Sequence, residues 1–139
     1  MVAFQRGKNP YTSGAINTAS PGQLVVMMYD GLLRFVAKAR AGCALPESNP
    51  ERLKLVQEGV GRSLAIIDEL RATLDKERGG EYAANLDRLY DYYARRLLKA
   101  QITFDDALLL EVEKLVGTLR EGWSQMILTE AQGRTGSNG

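Results

Sequence analysis

The side chains best suited to chemistry lie in the segment 81–100, which contains no proline or glycine and is predicted to form one helix. At about 100° per residue, Asn85, Tyr92 and Arg96 fall on one strip beside the apolar stripe. Tyr and Arg are enriched where proteins recognise other proteins, so this strip is interpreted as a docking surface. In the alternative, Tyr92 covers the flank of the core with its hydroxyl in water, and Arg96 pairs with a nearby carboxylate.

Catalytic chemistry has little basis in this sequence, because the chain contains no histidine. That absence excludes histidine-dependent nucleophilic triads and the Glu-x-x-His pairs of di-iron helical bundles. Asp87 and Asp91 are spaced i,i+4, but they alternate with Arg88 and Arg95, which is typical of a solvated charged face. The sequence therefore predicts a protein that is not an enzyme and needs no metal or other cofactor.

Composition limits the size of the protein and the classes of partner. A chain of 139 residues with 45% hydrophobic residues is long enough for one domain with a real core. The net charge of +1 favours neither nucleic acid nor an acidic membrane surface. The single cysteine, Cys43, fits a reducing compartment. No secretory signal and no apolar run of about 20 residues is found, so we expect a cytoplasmic protein without membrane insertion.

Helix-start and helix-stop signals define the first half of the chain. Ser20 and Gln23 form a capping-box pattern at the start of helix one, and Gly42 can end it. Helix two is predicted from about Pro50, with Asn49 as its cap. No strand-like alternation of apolar residues appears in the sequence.

The second half contains two further helices. Arg78–Gly80 is predicted to break the chain before helix three, and the turn Ile102–Asp105 to precede helix four, which should end near Thr129. Short connections favour antiparallel neighbours. The predicted fold is all-α, an antiparallel four-helix bundle with up-down-up-down topology. We expect a flexible N-terminal arm (1–19), a bundle domain (20–130) and a disordered tail (131–139).

Helices two, three and four carry more apolar residues than a single core-facing stripe requires. We predict the main stripes to be Leu53, Val56, Val60, Ser63, Ile67, Leu70 and Leu74 in helix two; Tyr82, Leu86, Leu89, Tyr93 and Leu97 in helix three; and Leu108, Val112, Leu115, Leu119 and Met126 in helix four. Second lines are Leu55, Gly59, Arg62, Ile66 and Thr73; Tyr92 and Leu98; and Leu109, Val116, Trp123 and Ile127.

These second lines predict an outer groove for an amphipathic segment, because a monomer seldom leaves large apolar patches open to water. Gly59, between Leu55 and Ile66, would let another backbone approach closely. Whether that backbone belongs to a partner or to a neighbouring helix of the bundle is left open.

Several motifs occur in the order and spacing of one known family: Thr18–Leu24, Met28–Gly31, Leu74–Asp75, Gly79–Glu81, Asn85–Leu86, Leu89–Tyr92 and Arg95–Leu97. In these motifs the chain resembles the flagellar secretion chaperones (FliS-type), and the resemblance covers about residues 11–127. Members of that family are four-helix bundles that bind the C-terminal segment of newly made flagellin in the cytoplasm. They prevent premature polymerisation, keep flagellin competent for the flagellar type III export apparatus and use no cofactor.

The resemblance implies roles for particular residues. Tyr11, and with it Ile16, would occupy a groove of the bundle when no client is bound. Tyr29 is interpreted either as a client contact or as core. Together with the outer line of helix two and the strip on helix three, the predicted client-binding residues are Tyr11, Ile16, Tyr29, Leu55, Gly59, Ile66, Asn85, Tyr92 and Arg96. The alternative is a structural or adaptor bundle whose outer stripes form a homodimer, and a weak homodimer is left open for the chaperone as well.

Overall fold

The computed structural model describes the backbone of residues 19–138 and the side chains of residues 19–133. This part of the chain forms four α-helices and no strand: α1 (Pro21–Cys43), α2 (Glu51–Ala72), α3 (Lys76–Thr103) and α4 (Asp106–Asn138). The predicted all-α four-helix fold is confirmed. Tyr11 and Ile16 lie outside the described residues. No helix in the described range is both long enough and apolar enough to cross a membrane.

Ion pairs between neighbouring helices show the direction of each helix. Arg40, near the end of α1, binds Asp106 at the start of α4. Arg71, at the end of α2, binds Asp87 in the first half of α3. Each helix packs against two others in the cyclic order α1, α2, α3, α4. Because the end of one helix meets the beginning of the next in these pairs, neighbours are antiparallel, as predicted.

The helix starts follow the capping residues of the sequence. The Gln23 backbone N–H donates to Ser20 Oγ at 3.2 Å, and the Ser20 N–H donates to Gln23 Oε1 at 2.8 Å, so the predicted capping box is confirmed. Asn49 Oδ1 accepts a hydrogen bond from the Glu51 N–H at 2.9 Å. These bonds satisfy N–H groups that a helix leaves without partners at its start.

The predicted break at residues 78–80 is a kink inside α3. Asp75 caps a first turn that begins at Lys76, and Gly80 then adopts φ 53° and ψ −130°. Positive φ costs glycine little because it has no Cβ. The helix continues to Thr103, and Phe104 closes it with φ 57°. At the other end of the chain, α4 runs to Asn138, past the predicted end near Thr129 and through the segment predicted as a tail.

The core is built mainly from one face of each helix, and two tyrosines are central to it. Tyr29 of α1 and Tyr90 of α3 are buried, and their hydroxyl oxygens lie 2.6 Å apart. Ser63 of α2 is buried and donates to the Gly59 carbonyl at 2.7 Å. The largest fully buried side chains are Tyr29, Tyr90, Tyr93, Leu32, Ile67, Leu70, Leu97, Leu109, Val36, Val56, Val60 and Val112.

The predicted core stripes of α3 and α4 are partly wrong, because each helix is rotated from the predicted orientation. In α3, Tyr82 and Leu89 were predicted to be buried but are 59% and 38% exposed. In α4, Leu115 and Met126 are 37% and 42% exposed. Val116, assigned to the second line of α4, is buried, as is Leu109. Two adjacent apolar stripes on one helix are equivalent in periodicity, so only the positions of the neighbouring helices determine which one is buried.

Three residues of the second line predicted on helix two, Leu55, Gly59 and Ile66, face α1. A Cβ placed on Gly59 would lie 2.6 Å from both the Phe35 carbonyl oxygen and the Ala39 nitrogen. Leu55 and Ile66 approach Gly42 and Gly31 of α1 in the same way, at 2.9 and 3.2 Å from the corresponding Cβ positions. Gly59 therefore allows α1 and α2 to pack closely inside the bundle. Of the two possibilities that the sequence left open, the backbone near Gly59 is that of a neighbouring helix.

Candidate functional site

The candidate site is the surface on which α3 and α4 meet. Asn85, Leu89, Tyr92 and Arg96 are spaced four, three and four residues apart, so they share one side of α3. Asn85 is exposed and its Oδ1 accepts a hydrogen bond from Arg88. Tyr92 and Arg96 are half-buried. The predicted polar strip therefore lies at the α3–α4 boundary.

Glu111 of α4 holds the two central residues of this strip. The Tyr92 hydroxyl donates to Glu111 Oε2 at 2.5 Å, and Arg96 Nε donates to Oε1 at 2.8 Å. The Arg96 guanidinium carbon lies 5.4 Å from the centre of the Tyr92 ring, within cation–π range. The Tyr92 hydroxyl therefore binds a carboxylate, whereas the alternative interpretation of Tyr92 placed this hydroxyl in water. Arg96 forms an ion pair with Glu111, as the alternative interpretation of this residue predicted.

The same contacts shift the ionisation of all three groups. The hydrogen bonds from Tyr92 and Arg96 hold the pKa of Glu111 below its ordinary value. The bond to Glu111 raises the pKa of Tyr92 and also that of Arg96. Each shift favours the protonation state seen in the structure, an anionic Glu111 beside a neutral Tyr92 and a cationic Arg96.

Exposed apolar side chains extend this surface toward the other end of the bundle. Tyr82 of α3 lines a hollow of about 220 Å³ with Thr118, Leu119, Gly122, Trp123 and Met126 of α4. Between that hollow and Glu111, Leu89 of α3 and Leu115 of α4 are more than a third exposed. We call the set Tyr82, Asn85, Leu89, Tyr92, Arg96, Glu111, Leu115, Leu119 and Met126 the α3–α4 surface.

Two further hollows lie at the end of the bundle where α1 begins. The terminal hollow, of about 350 Å³, is lined by residues of all four helices, among them Val25, Leu74, Tyr82, Leu86 and Trp123. Tyr82 and Trp123 also line the hollow of the α3–α4 surface, so the two hollows are neighbours. The outer hollow, of about 630 Å³, lies between the start of α1 and α4 and includes Ala19, Met27, Ile127 and Leu128.

The structure brings together only some of the residues predicted to bind a client. Asn85, Tyr92 and Arg96 share the α3–α4 surface, whereas the three predicted residues of helix two face α1. Tyr29 is fully buried, its hydroxyl contacts Tyr90, and burial raises the pKa of both phenols. Tyr29 is therefore a core residue, which was the second of its two predicted roles.

Sequence reasoning missed Glu111 and misassigned four residues of the surface. Tyr82, Leu89, Leu115 and Met126 were predicted as core. Glu111 carried one signal that could have identified it: it lies four residues before Leu115, so it is a charged residue in line with an apolar stripe. Within the described residues, no three Asp, Glu, His or Cys side chains group together as metal ligands would.

Comparison with known proteins places this bundle in a family. Residues 4–130 match the family model described as flagellar protein FliS. The chain belongs to the FliS family. It is 38% identical to a flagellar secretion chaperone FliS of Bacillus subtilis, over 95% of this chain and 96% of that protein.

Two other relatives, from other bacteria, agree with this assignment. The chain is 37% identical to the flagellar secretion chaperone FliSB of Pseudomonas aeruginosa, over 88% of this chain and 94% of the relative. It is 39% identical to a FliS chaperone of Salmonella typhimurium, over 81% and 80% of the two chains. The predicted family is therefore confirmed over nearly the whole length of the molecule, and the relatives are named as chaperones.

Proposed function

We propose that this protein is a cytoplasmic flagellar export chaperone that binds the C-terminal segment of newly made flagellin. Binding would prevent premature polymerisation and keep flagellin competent for the flagellar type III export apparatus, which the chaperone would meet as a complex with its client. Membership of the FliS family supports the class of function. The observation that supports a docking role for this chain is the row of exposed apolar side chains along the α3–α4 surface.

The dimensions of the α3–α4 surface suit an amphipathic helix. Tyr82 and Arg96 are 14 positions apart, which at roughly 1.5 Å per residue gives about 21 Å along α3. A client helix of about four turns would cover that length and place apolar anchors at i, i+3, i+4 and i+7. Burial of Leu89, Leu115 and Met126 would supply binding energy of roughly 25 cal/mol per Å² of apolar surface. Such binding requires no cofactor.

Polar groups at the surface would fix the orientation of the client. Asn85 and Arg96 lie beside the apolar row and can form hydrogen bonds with the backbone of a client bound to the α3–α4 surface. A client segment that is disordered alone must be ordered on binding, and the apolar burial has to offset that entropy. The proposed binding set is therefore Asn85, Tyr92 and Arg96 with the exposed apolar residues around them.

The proposed arm and tail complete this assignment. We propose that residues 1–19 form an arm outside the bundle, that 20–130 form the chaperone domain and that 131–139, which include the last turns of α4, form a tail beyond that domain. Ala19, the first described residue, lines the outer hollow. Tyr11 and Ile16 are close enough in sequence to Ala19 to enter that hollow when no client is bound.

Calorimetry with a flagellin C-terminal peptide tests the proposal. A stoichiometric complex with a negative heat-capacity change is expected, because apolar surface is buried. Leu89→Ala should weaken binding, whereas Leu98→Ala should not. Leu98 is the matched control, since it is an exposed leucine of the same helix at 48% but does not lie on the α3–α4 strip. No binding at peptide concentrations of about 50 μM, which would mean an affinity weaker than about −6 kcal/mol, contradicts the proposal.

The same exposed row favours one second candidate, a homodimeric structural or adaptor bundle without a flagellin client. Two copies packed through Leu89 and Leu115 would cover apolar surface that one copy leaves in water. Sedimentation equilibrium separates the candidates. A dimer that persists at saturating flagellin peptide favours the bundle, whereas weak self-association that the peptide displaces favours the chaperone.

A further inference from the structure

Among the described side chains of α4, Glu111 binds two residues of the polar strip on α3. One carboxylate oxygen accepts from Tyr92 and the other from Arg96, at 2.5 and 2.8 Å. The side chains of Arg96 and Glu111 are each about one-third exposed, at 32%, so the pair is neither free in water nor part of the core. We propose that Glu111 is a positioning residue that holds Tyr92 and Arg96 in their client-binding geometry before the client arrives. This inference rests on the proposed function.

The position of Tyr92 is the first argument. Its backbone belongs to α3 and its hydroxyl is bound to α4, so the side chain bridges the boundary between the two helices. The Tyr92 ring also packs against the core and makes an edge contact with Tyr93, with ring centres 6.4 Å apart. Glu111 therefore fixes the far end of a ring whose near end is already packed.

The hydrogen bonds of Arg96 are the second argument. Arg96 uses Nε to bind Glu111, while Nη1 and Nη2 make no hydrogen bond to any other described residue. A guanidinium held by one edge still has N–H donors that suit a client's backbone carbonyl or carboxylate oxygen. Its plane is also near the Tyr92 ring, which restricts it further. Glu111 therefore orients the guanidinium of Arg96 through Nε, and Nη1 and Nη2 remain available to a client.

Pre-organisation has a measurable consequence, because a long side chain that is already ordered loses less rotamer freedom when a ligand binds. Removing the carboxylate should free both Tyr92 and Arg96 and should weaken client binding, although Glu111 need not touch the client. The effect should depend on Tyr92 and Arg96 being present.

The experiment measures affinity for the flagellin C-terminal peptide with Glu111→Ala, Glu111→Gln and a matched control. Glu113→Ala is the control, since Glu113 also lies on α4, is 30% exposed and accepts from an arginine, Arg40, at 2.9 Å, but this contact is with α1. We expect Glu111→Ala to weaken binding about tenfold and Glu113→Ala to leave it unchanged. A Gln side chain has one carbonyl oxygen and can replace only one of the two acceptors. The loss of affinity in Glu111→Gln should therefore lie between that of the wild type and that of Glu111→Ala.

A double-mutant cycle separates positioning from a general structural effect. In a Tyr92→Phe/Arg96→Ala background, Glu111→Ala should produce almost no further loss of affinity, because the two side chains that it positions have been removed. Wild-type affinity in Glu111→Ala, or an equal loss in both backgrounds, overturns the inference while the proposed function stands. If the wild-type protein does not bind the peptide, both fail.

Discussion

At the residue scale, the cluster of Tyr92, Arg96 and Glu111 combines packing against the core with partial exposure to solvent, and the proposed binding role requires both. Tyr92 packs against the core, yet its hydroxyl and the Arg96 guanidinium lie at a boundary open to solvent. The sequence identified Tyr92 and Arg96, because their spacing on α3 is local. It did not identify Glu111, because their contact with Glu111 depends on the register between α3 and α4.

The ionisation of Glu111 gives a testable pH dependence. Its pKa is lowered in the folded state, so its contribution to stability is fully present above the ordinary value of 4.5 and is lost as pH falls through the lowered pKa. The difference in unfolding free energy between wild type and Glu111→Gln should therefore shrink on acidification below about pH 4.5. Denaturant unfolding at several pH values measures it. A difference that stays constant down to pH 2 would contradict the assigned hydrogen bonds.

Two leucines of α3 test the observed division between core and surface. Leu97 is fully buried, so Leu97→Ala should lower the unfolding free energy by about 2–5 kcal/mol. Leu89 is 38% exposed, so Leu89→Ala should cost no more than about 1 kcal/mol and should act mainly on client binding. Urea unfolding of both variants measures the two values. Equal losses would mean that Leu89 belongs to the core after all.

At the scale of elements, local signals were sufficient to predict the helices but not their rotation about their own axes. Ser20 with Gln23 and the turn at residues 102–105 set helix ends through contacts between near neighbours in sequence. The buried face of α3 depends instead on where α2 and α4 lie. Tyr82 and Tyr90 both continue an apolar stripe, and only packing determines that Tyr90 is buried and Tyr82 exposed.

The interface between α1 and α2 depends on a glycine whose role the sequence left open. At Gly59 a Cβ would meet the α1 backbone at 2.6 Å, and backbone cannot move aside cheaply. Gly59→Ala should therefore destabilise the protein by roughly 1–3 kcal/mol. Gly61 of the same helix is the matched control: a Cβ there meets nothing within 4 Å, so Gly61→Ala should stabilise the protein by up to about 1 kcal/mol. Thermal unfolding of both variants measures the opposite signs, and two changes of the same sign would contradict this packing.

At the scale of the whole molecule, two apolar hollows lie at the end of the bundle where α1 begins. The first described residue, Ala19, lies at the same end. The outer hollow includes Ala19, while Tyr82 and Trp123 line both the terminal hollow and the neighbouring hollow of the α3–α4 surface. An arm that entered this end would lie next to the proposed client site. Arm and client would then exclude each other to the extent that they overlap, and linkage would lower the client's apparent affinity.

This competition is tested by comparing the full chain with a chain that lacks residues 1–18 and with the double variant Tyr11→Ala/Ile16→Ala. If these two side chains occupy the outer hollow, both changes should raise affinity for the flagellin peptide by the same factor, about two- to tenfold, because the competing state is removed. Ser13→Ala within the same segment is the control and should leave affinity unchanged. Peptide calorimetry at one temperature measures all four proteins. A deletion that lowers affinity would instead place the arm among the client's contacts, and identical affinities would exclude the arm from the docking surface altogether.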